Sequence, residues 1–121
     1  MNNIETWTAE DIVRKAEETA NQLTRDKLKT GQIRNFYSAI TRMRTDYALG
    51  GYDKVSSQLT MLKPKLAYAA GRQTAVRATF YPIMKSAIDG VTSANEKKRA
   101  LENFFMFIES VVAYHKFYGG E

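Results

Sequence analysis

The sequence predicts an all-α fold, a single-domain bundle of about five helices spanning residues 1–121. Three observations predict it. Apolar residues recur every three or four positions through most of the chain, and no segment sustains the period-two alternation of a half-buried strand. A chain of 121 residues, 44% hydrophobic and 26% charged, has the composition of a globular protein and room for one core. No internal repeat or low-complexity stretch interrupts it.

The first helix starts at Thr8, with Asp11 three residues on to complete a capping box and Trp7 and Ile12 placed for a hydrophobic staple. Ile12, Ala16, Ala20 and Leu23 then give it one apolar face. Thr30 caps a second helix whose Ile33, Phe36, Tyr37, Ile40, Met43 and Tyr47 share a face, leaving Arg34, Arg42 and Arg44 off that stripe. Gly50-Gly51 ends it, because two residues without a Cβ make continuation costly. The third helix carries Tyr52, Val55, Leu59, Leu62, Leu66 and Ala69 in phase through Pro64. An interior proline removes a hydrogen bond and crowds the preceding turn, so this helix either kinks or divides near Thr60 to Pro64.

A fourth helix follows Thr74, with Val76, Phe80, Ile83, Met84 and Ile88 inward and Pro82 interior, and it ends at Asp89-Gly90. Ser93-Ala94-Asn95-Glu96 reads as a second capping box opening a long last helix. There Leu101, Phe104, Phe105, Ile108, Val111, Val112 and His115 form a stripe, widened by Phe107, Tyr114 and Tyr118. An arc wider than the ~100° needed to face one core marks either a subunit contact through these three aromatics or a helix lying between others of its own bundle. Gly119-Gly120-Glu121 reads as a frayed end.

Composition excludes several classes of function. Without cysteine there is no disulfide framework and no thiolate metal site. The N-terminus lacks the basic and apolar regions of a signal peptide, and no run approaches the ~20 apolar residues of a membrane span, so a cytoplasmic, membrane-free protein is expected. His115 is the single histidine, with neither a second ligand at metal spacing nor an orienting partner for base catalysis. A histidine hydrogen-bonded inside the fold, near a helix C-terminus, is the expected role. No nucleotide-binding, metalloprotease or nucleophile-elbow motif occurs. The chain is read as non-catalytic, without cofactor, metal or small-molecule substrate.

Charge is unevenly distributed. Residues 1–26 carry net −3, residues 27–86 net +9 and residues 87–121 net −1. Positive charge concentrated in mid-chain is what a polyanion-binding surface requires. Arg34 and Asn35, with Lys63, Lys65, Arg72 and Arg77, supply charge and donors suited to backbone phosphates. Tyr68 and Tyr81 lie among these cations, where a ring either stacks on a base or joins the core.

Three segments in order resemble the small subunit of Csm-type, type III-A CRISPR complexes: Thr30-Gly31-Gln32-Ile33-Arg34-Asn35-Phe36-Tyr37, then Leu62-Lys63-Pro64-Lys65-Leu66-Ala67-Tyr68-Ala69-Ala70-Gly71-Arg72, then Phe104-Phe105 with Val111 to Tyr118. The resemblance runs from Thr30 to Gly119 and leaves the acidic first helix unsupported. It implies an RNA-guided antiviral assembly in which several copies of a helical subunit associate beside the large, backbone and other subunits. There they line the guide RNA and target RNA without reading sequence. On matching positions it points to Arg34, Lys63, Lys65 and Arg72. Two rival readings stand beside it. A helix-turn-helix DNA-binding regulator needs one recognition helix behind a short turn, whereas these cations spread over several helices. A protein-interaction adaptor would use the aromatic last helix and no nucleic acid.

Overall fold

The computed structural model describes residues 3–119. It contains a 3-10 turn at Ile4–Thr6, then α1 (Ala9–Arg25), α2 (Thr30–Gly50), α3 (Tyr52–Arg72), a π-helical turn (Val76–Phe80) leading into α4 (Tyr81–Thr92), and α5 (Lys97–Phe117). No strand occurs among the described residues. Gly120 and Glu121, expected as part of a frayed end, lie outside them.

α1 begins as its sequence predicts. The Thr8 hydroxyl accepts from the Asp11 amide at 3.1 Å, and the Asp11 carboxylate accepts from the Thr8 amide at 3.0 Å. Trp7 and Ile12, the two staple residues, are both buried. At the other end Lys27 adopts a left-handed conformation, φ 65°. The Leu28 and Lys27 amides turn back to the Leu23 and Thr24 carbonyls, the two bonds of a Schellman motif. This places Leu28 in the core beneath the start of α2.

Two helix starts differ from the sequence reading. Lys29, not Thr30, caps α2, and its amide is accepted by the Gln32 side chain at 2.8 Å. Thr30 is already helical, and its hydroxyl is a buried polar atom without a partner. The box read at Ser93 does not form, because α4 runs past Asp89-Gly90 to Thr92 and the Ser93 hydroxyl donates to the Asp89 carbonyl at 2.8 Å. α5 therefore starts at Lys97, and the Glu5 carboxylate accepts from the Asn95 amide just before it.

The two prolines act differently. α3 stays a single helix through Pro64, whose ring faces solvent. Ahead of Pro82 the helix widens into the π turn, in which the Tyr81 amide reaches the Val76 carbonyl five residues back. An extra residue in the turn makes room for a ring that would otherwise press on the carbonyl before it.

α5 is the centre of the bundle, touching α1 most extensively and also α2 and α4. Most of its wide arc is core, with Tyr114 and Tyr118 half-buried at the edge. Phe107, read as a subunit contact, is 0% exposed and meets Trp7 edge to face at 5.6 Å, so that assignment is corrected. Tyr118 donates to Glu17 on α1, and Tyr114 stacks on Tyr118 at 6.4 Å. Two buried polar side chains of α5 tie down the chain's turns. Asn103 Nδ2 donates to the Ile4 carbonyl at 2.8 Å, and His115 Nε2 lies 2.8 Å from the Leu28 carbonyl. Since a carbonyl only accepts, Nε2 carries the proton. The expected structural role of His115 holds.

Candidate nucleic-acid interface

α2 and α3 form an antiparallel pair because a single residue, Gly51, separates them. Its φ of 76° lies in the left-handed region that glycine occupies without strain. Early α2 therefore faces late α3. Phe36, Leu62 and Leu66 close the seam from inside, and Phe36 meets Phe80 edge to face at 5.3 Å.

Outside that seam lies a groove of about 840 Å³. Arg34 and Asn35 line it from α2, and Lys65 lines it from α3. Three residues predicted for phosphate binding are thus brought together. Lys29, Gln32 and Gln73 complete the rim, with Gln32 donating to Gln73 across one end. A smaller groove of about 340 Å³ continues along the same seam and shares Ala39, Leu62 and Lys65 with the first. It adds Arg42, which lies two helical turns beyond Asn35.

On α3 the helical repeat puts Lys65, Tyr68 and Arg72 on one exposed stripe. Tyr68 is 68% exposed, which excludes it from the core. The Arg72 guanidinium sits 5.7 Å from its ring centre and donates to its hydroxyl at 3.1 Å. Tyr81, by contrast, packs half-buried against the core.

Two predicted cations stand apart. Lys63 points about 200° round the helix from Lys65 and pairs with Asp89 of α4 at 2.7 Å. Asp89 also pairs with Lys85 at 3.2 Å. The Lys63 hydrogen bond is the main reason its carboxyl is held below the usual carboxylate range. Arg77 folds back on α3, its Nε and Nη2 donating to the Ala70 and Gly71 carbonyls at 3.0 and 3.2 Å. These two residues fasten the ends of the face. The structure adds Lys29, Arg42, Gln32 and Gln73 to the residues the sequence singled out. Of these, Arg42 had a signal in its helical phase with Asn35, while Gln73 belongs to the groove only through tertiary packing.

Among the described residues, none of Lys29, Arg34, Arg42, Lys65 and Arg72 has a carboxylate partner within ion-pair distance, whereas Arg14, Arg44, Lys63 and Lys85 do. No carboxylate lines either groove. Such a face attracts polyanions, because fixed cations without internal partners gain by meeting phosphate. Among the described residues no cluster could hold a metal ion, and no helix is long and apolar enough to cross a membrane.

Comparison with known proteins agrees with this picture. The family profile Csm2 Type III-A matches residues 6–121. The chain is 30% identical over 119 residues to the CRISPR system Cms protein Csm2 of Streptococcus thermophilus, covering 94% of this chain and 96% of that one. It is 35% identical over 99 residues to the protein of the same name from Enterococcus italicus, covering 75% of this chain and 68% of that one. No solved structure matches with significance. The family match takes in α1, which the sequence resemblance left out. The chain belongs to the Csm2 family, the non-catalytic small subunit of type III-A CRISPR complexes.

Proposed function

We propose that the α2/α3 face holds the sugar–phosphate backbone of guide RNA and target RNA, so that this subunit acts as a sequence-independent clamp and scaffold. One observation carries the reading: Arg34, Arg42 and Lys65 converge on a seam that no carboxylate lines. Arg72 and the exposed Tyr68 extend the surface along α3, where the ring offers a base-stacking platform. Asn35 adds a neutral donor to phosphate or sugar oxygens. Lys63 and Arg77 act indirectly by fixing α3 to its neighbours. Family membership supports the partners: guide RNA and other Csm subunits, with several copies side by side in a cytoplasmic complex.

The salt dependence of RNA binding tests the clamp. Substituting Arg34, Arg42 or Lys65 by alanine is expected to lower the slope of log affinity against log salt by ~0.7 each for single-stranded RNA. Slopes unchanged in all three variants would sink the reading. Purification of a tagged copy from its host tests the partners, since guide RNA with large and backbone subunits should accompany it.

A further inference from the structure

The main groove differs from a plain phosphate-binding surface in having an apolar floor. Phe36, Ala39, Leu66, Ala69, Val76 and Phe80 lie beneath the rim. Phosphate gains nothing from such a floor. Its volume of about 840 Å³ falls within the 300–1,000 Å³ of small-molecule sites. Lys29, Arg34 and Lys65 on the rim select an anion, while Asn35 offers an amide donor beside a carbonyl acceptor and Gln73, whose oxygen accepts from Gln32, keeps an amide donor. That amide matches the edge of a nucleobase better than it matches a carboxylate side chain, which only accepts. The first turn of α2 opens at the same place, where Gly31 leaves the backbone bare, and leading amides of a helix favour phosphate.

We infer that the α2/α3 groove receives one unstacked nucleobase of the bound RNA strand, its ring on the apolar floor and its flanking phosphates on Arg34 and Lys65. The inference rests on the clamp reading above and adds a pocket to it. Its consequence is that the subunit holds a strand with a base turned out more firmly than a continuous duplex, without preferring one base strongly.

The test compares binding of the full chain to a short single-stranded RNA and to the same oligonucleotide made abasic, which keeps every phosphate. The wild-type protein is expected to bind the base-bearing strand about tenfold or more tightly, the effect of stacking one base. Ala69→Leu and Ala39→Phe fill the groove from half-buried positions at its edge. Each should erase most of that preference while leaving the salt slope in place. Equal wild-type affinity for both oligonucleotides, with a normal salt slope, overturns the base pocket and spares the clamp. Salt-independent or absent RNA binding overturns both. A preference that survives both filling variants overturns the pocket and assigns the stacking to Tyr68, and filling variants that alter only self-association in sedimentation overturn it and assign the groove to a second copy. Should a filling variant fail to fold, Tyr68→Ala decides: a preference for the base-bearing strand that this variant keeps upholds the pocket, and one that it abolishes assigns the stacking to Tyr68 and overturns the pocket.

Discussion

The α1/α5 pair and the α2/α3 pair are built from similar helices and do opposite things with their charge. α1 lies along α5 with Trp7, Phe107 and Tyr118 between them, and its Arg14 is paired to Asp11 and Glu18 on the same helix. α2 and α3 meet along a narrower seam and leave Arg34, Arg42 and Lys65 without carboxylate partners. In the first pair Arg14 is paired within α1 and Glu109 of α5 pairs with Arg44 of α2, and the helices supply much of the core. The second keeps positive charge unneutralised for a ligand, at the cost of repulsion that the core must offset. The largest buried aromatic contacts and the unpaired cations of the proposed binding face therefore lie on different helix pairs of the bundle, and substitutions should separate them.

The largest effect is expected in the first pair. Phe107→Ala removes a fully buried ring against Trp7 and should lower stability by about 3–5 kcal/mol in urea denaturation, as large-to-small core substitutions do. At low temperature, where the variant remains folded, its RNA salt slope should match the wild type. A changed slope would mean that the two pairs are not separable.

Pro64→Ala comes next and acts on the second pair. Restoring an amide inside a continuous helix should raise stability by about 1–3 kcal/mol, read as a higher urea midpoint. If the proline also sets the line of α3, RNA affinity will fall while stability rises. Unchanged stability would show that the lost hydrogen bond is already compensated.

The smallest effect concerns Asp89, which joins α3 to α4 through Lys63 and Lys85. Its folded-state pKa is depressed, first by the Lys63 hydrogen bond. Its contribution is therefore present above the ordinary value of 3.8 and is lost as pH falls through the lower folded value. Because the pair is well exposed to solvent, Asp89→Asn should cost at most about 1 kcal/mol at neutral pH. The gap from wild type should close in acid. A gap that persists at low pH would point to packing rather than charge.

Helix identities were legible because each is amphipathic with a 3.6-residue period. Trp7 and Thr8 announced α1 through local chemistry alone, and the structure keeps both bonds of the capping box and buries both staple residues. Ser93 failed for an equally local reason, since its hydroxyl bonds backwards to Asp89 instead of forwards into α5. Sequence spacing cannot tell which side a serine serves. In the candidate site, Arg34, Asn35 and Lys65 were readable from charge and face. Lys63 was separable from Lys65 by helical angle, but its partner Asp89 lies 26 residues away and could not be read from local pattern. Phe107 shows the converse, an aromatic outside the main stripe that the core still absorbs because Trp7 closes over it.

The central claim is that RNA lies on the α2/α3 face of the assembled subunit. Ultraviolet crosslinking of the reconstituted type III-A complex, followed by mass mapping of RNA-bearing peptides from this chain, addresses it directly. Crosslinks confined to residues 29–76, with Tyr68 prominent, are the predicted result. Crosslinks concentrated in α1 or on the outer surface of α5 would contradict the account.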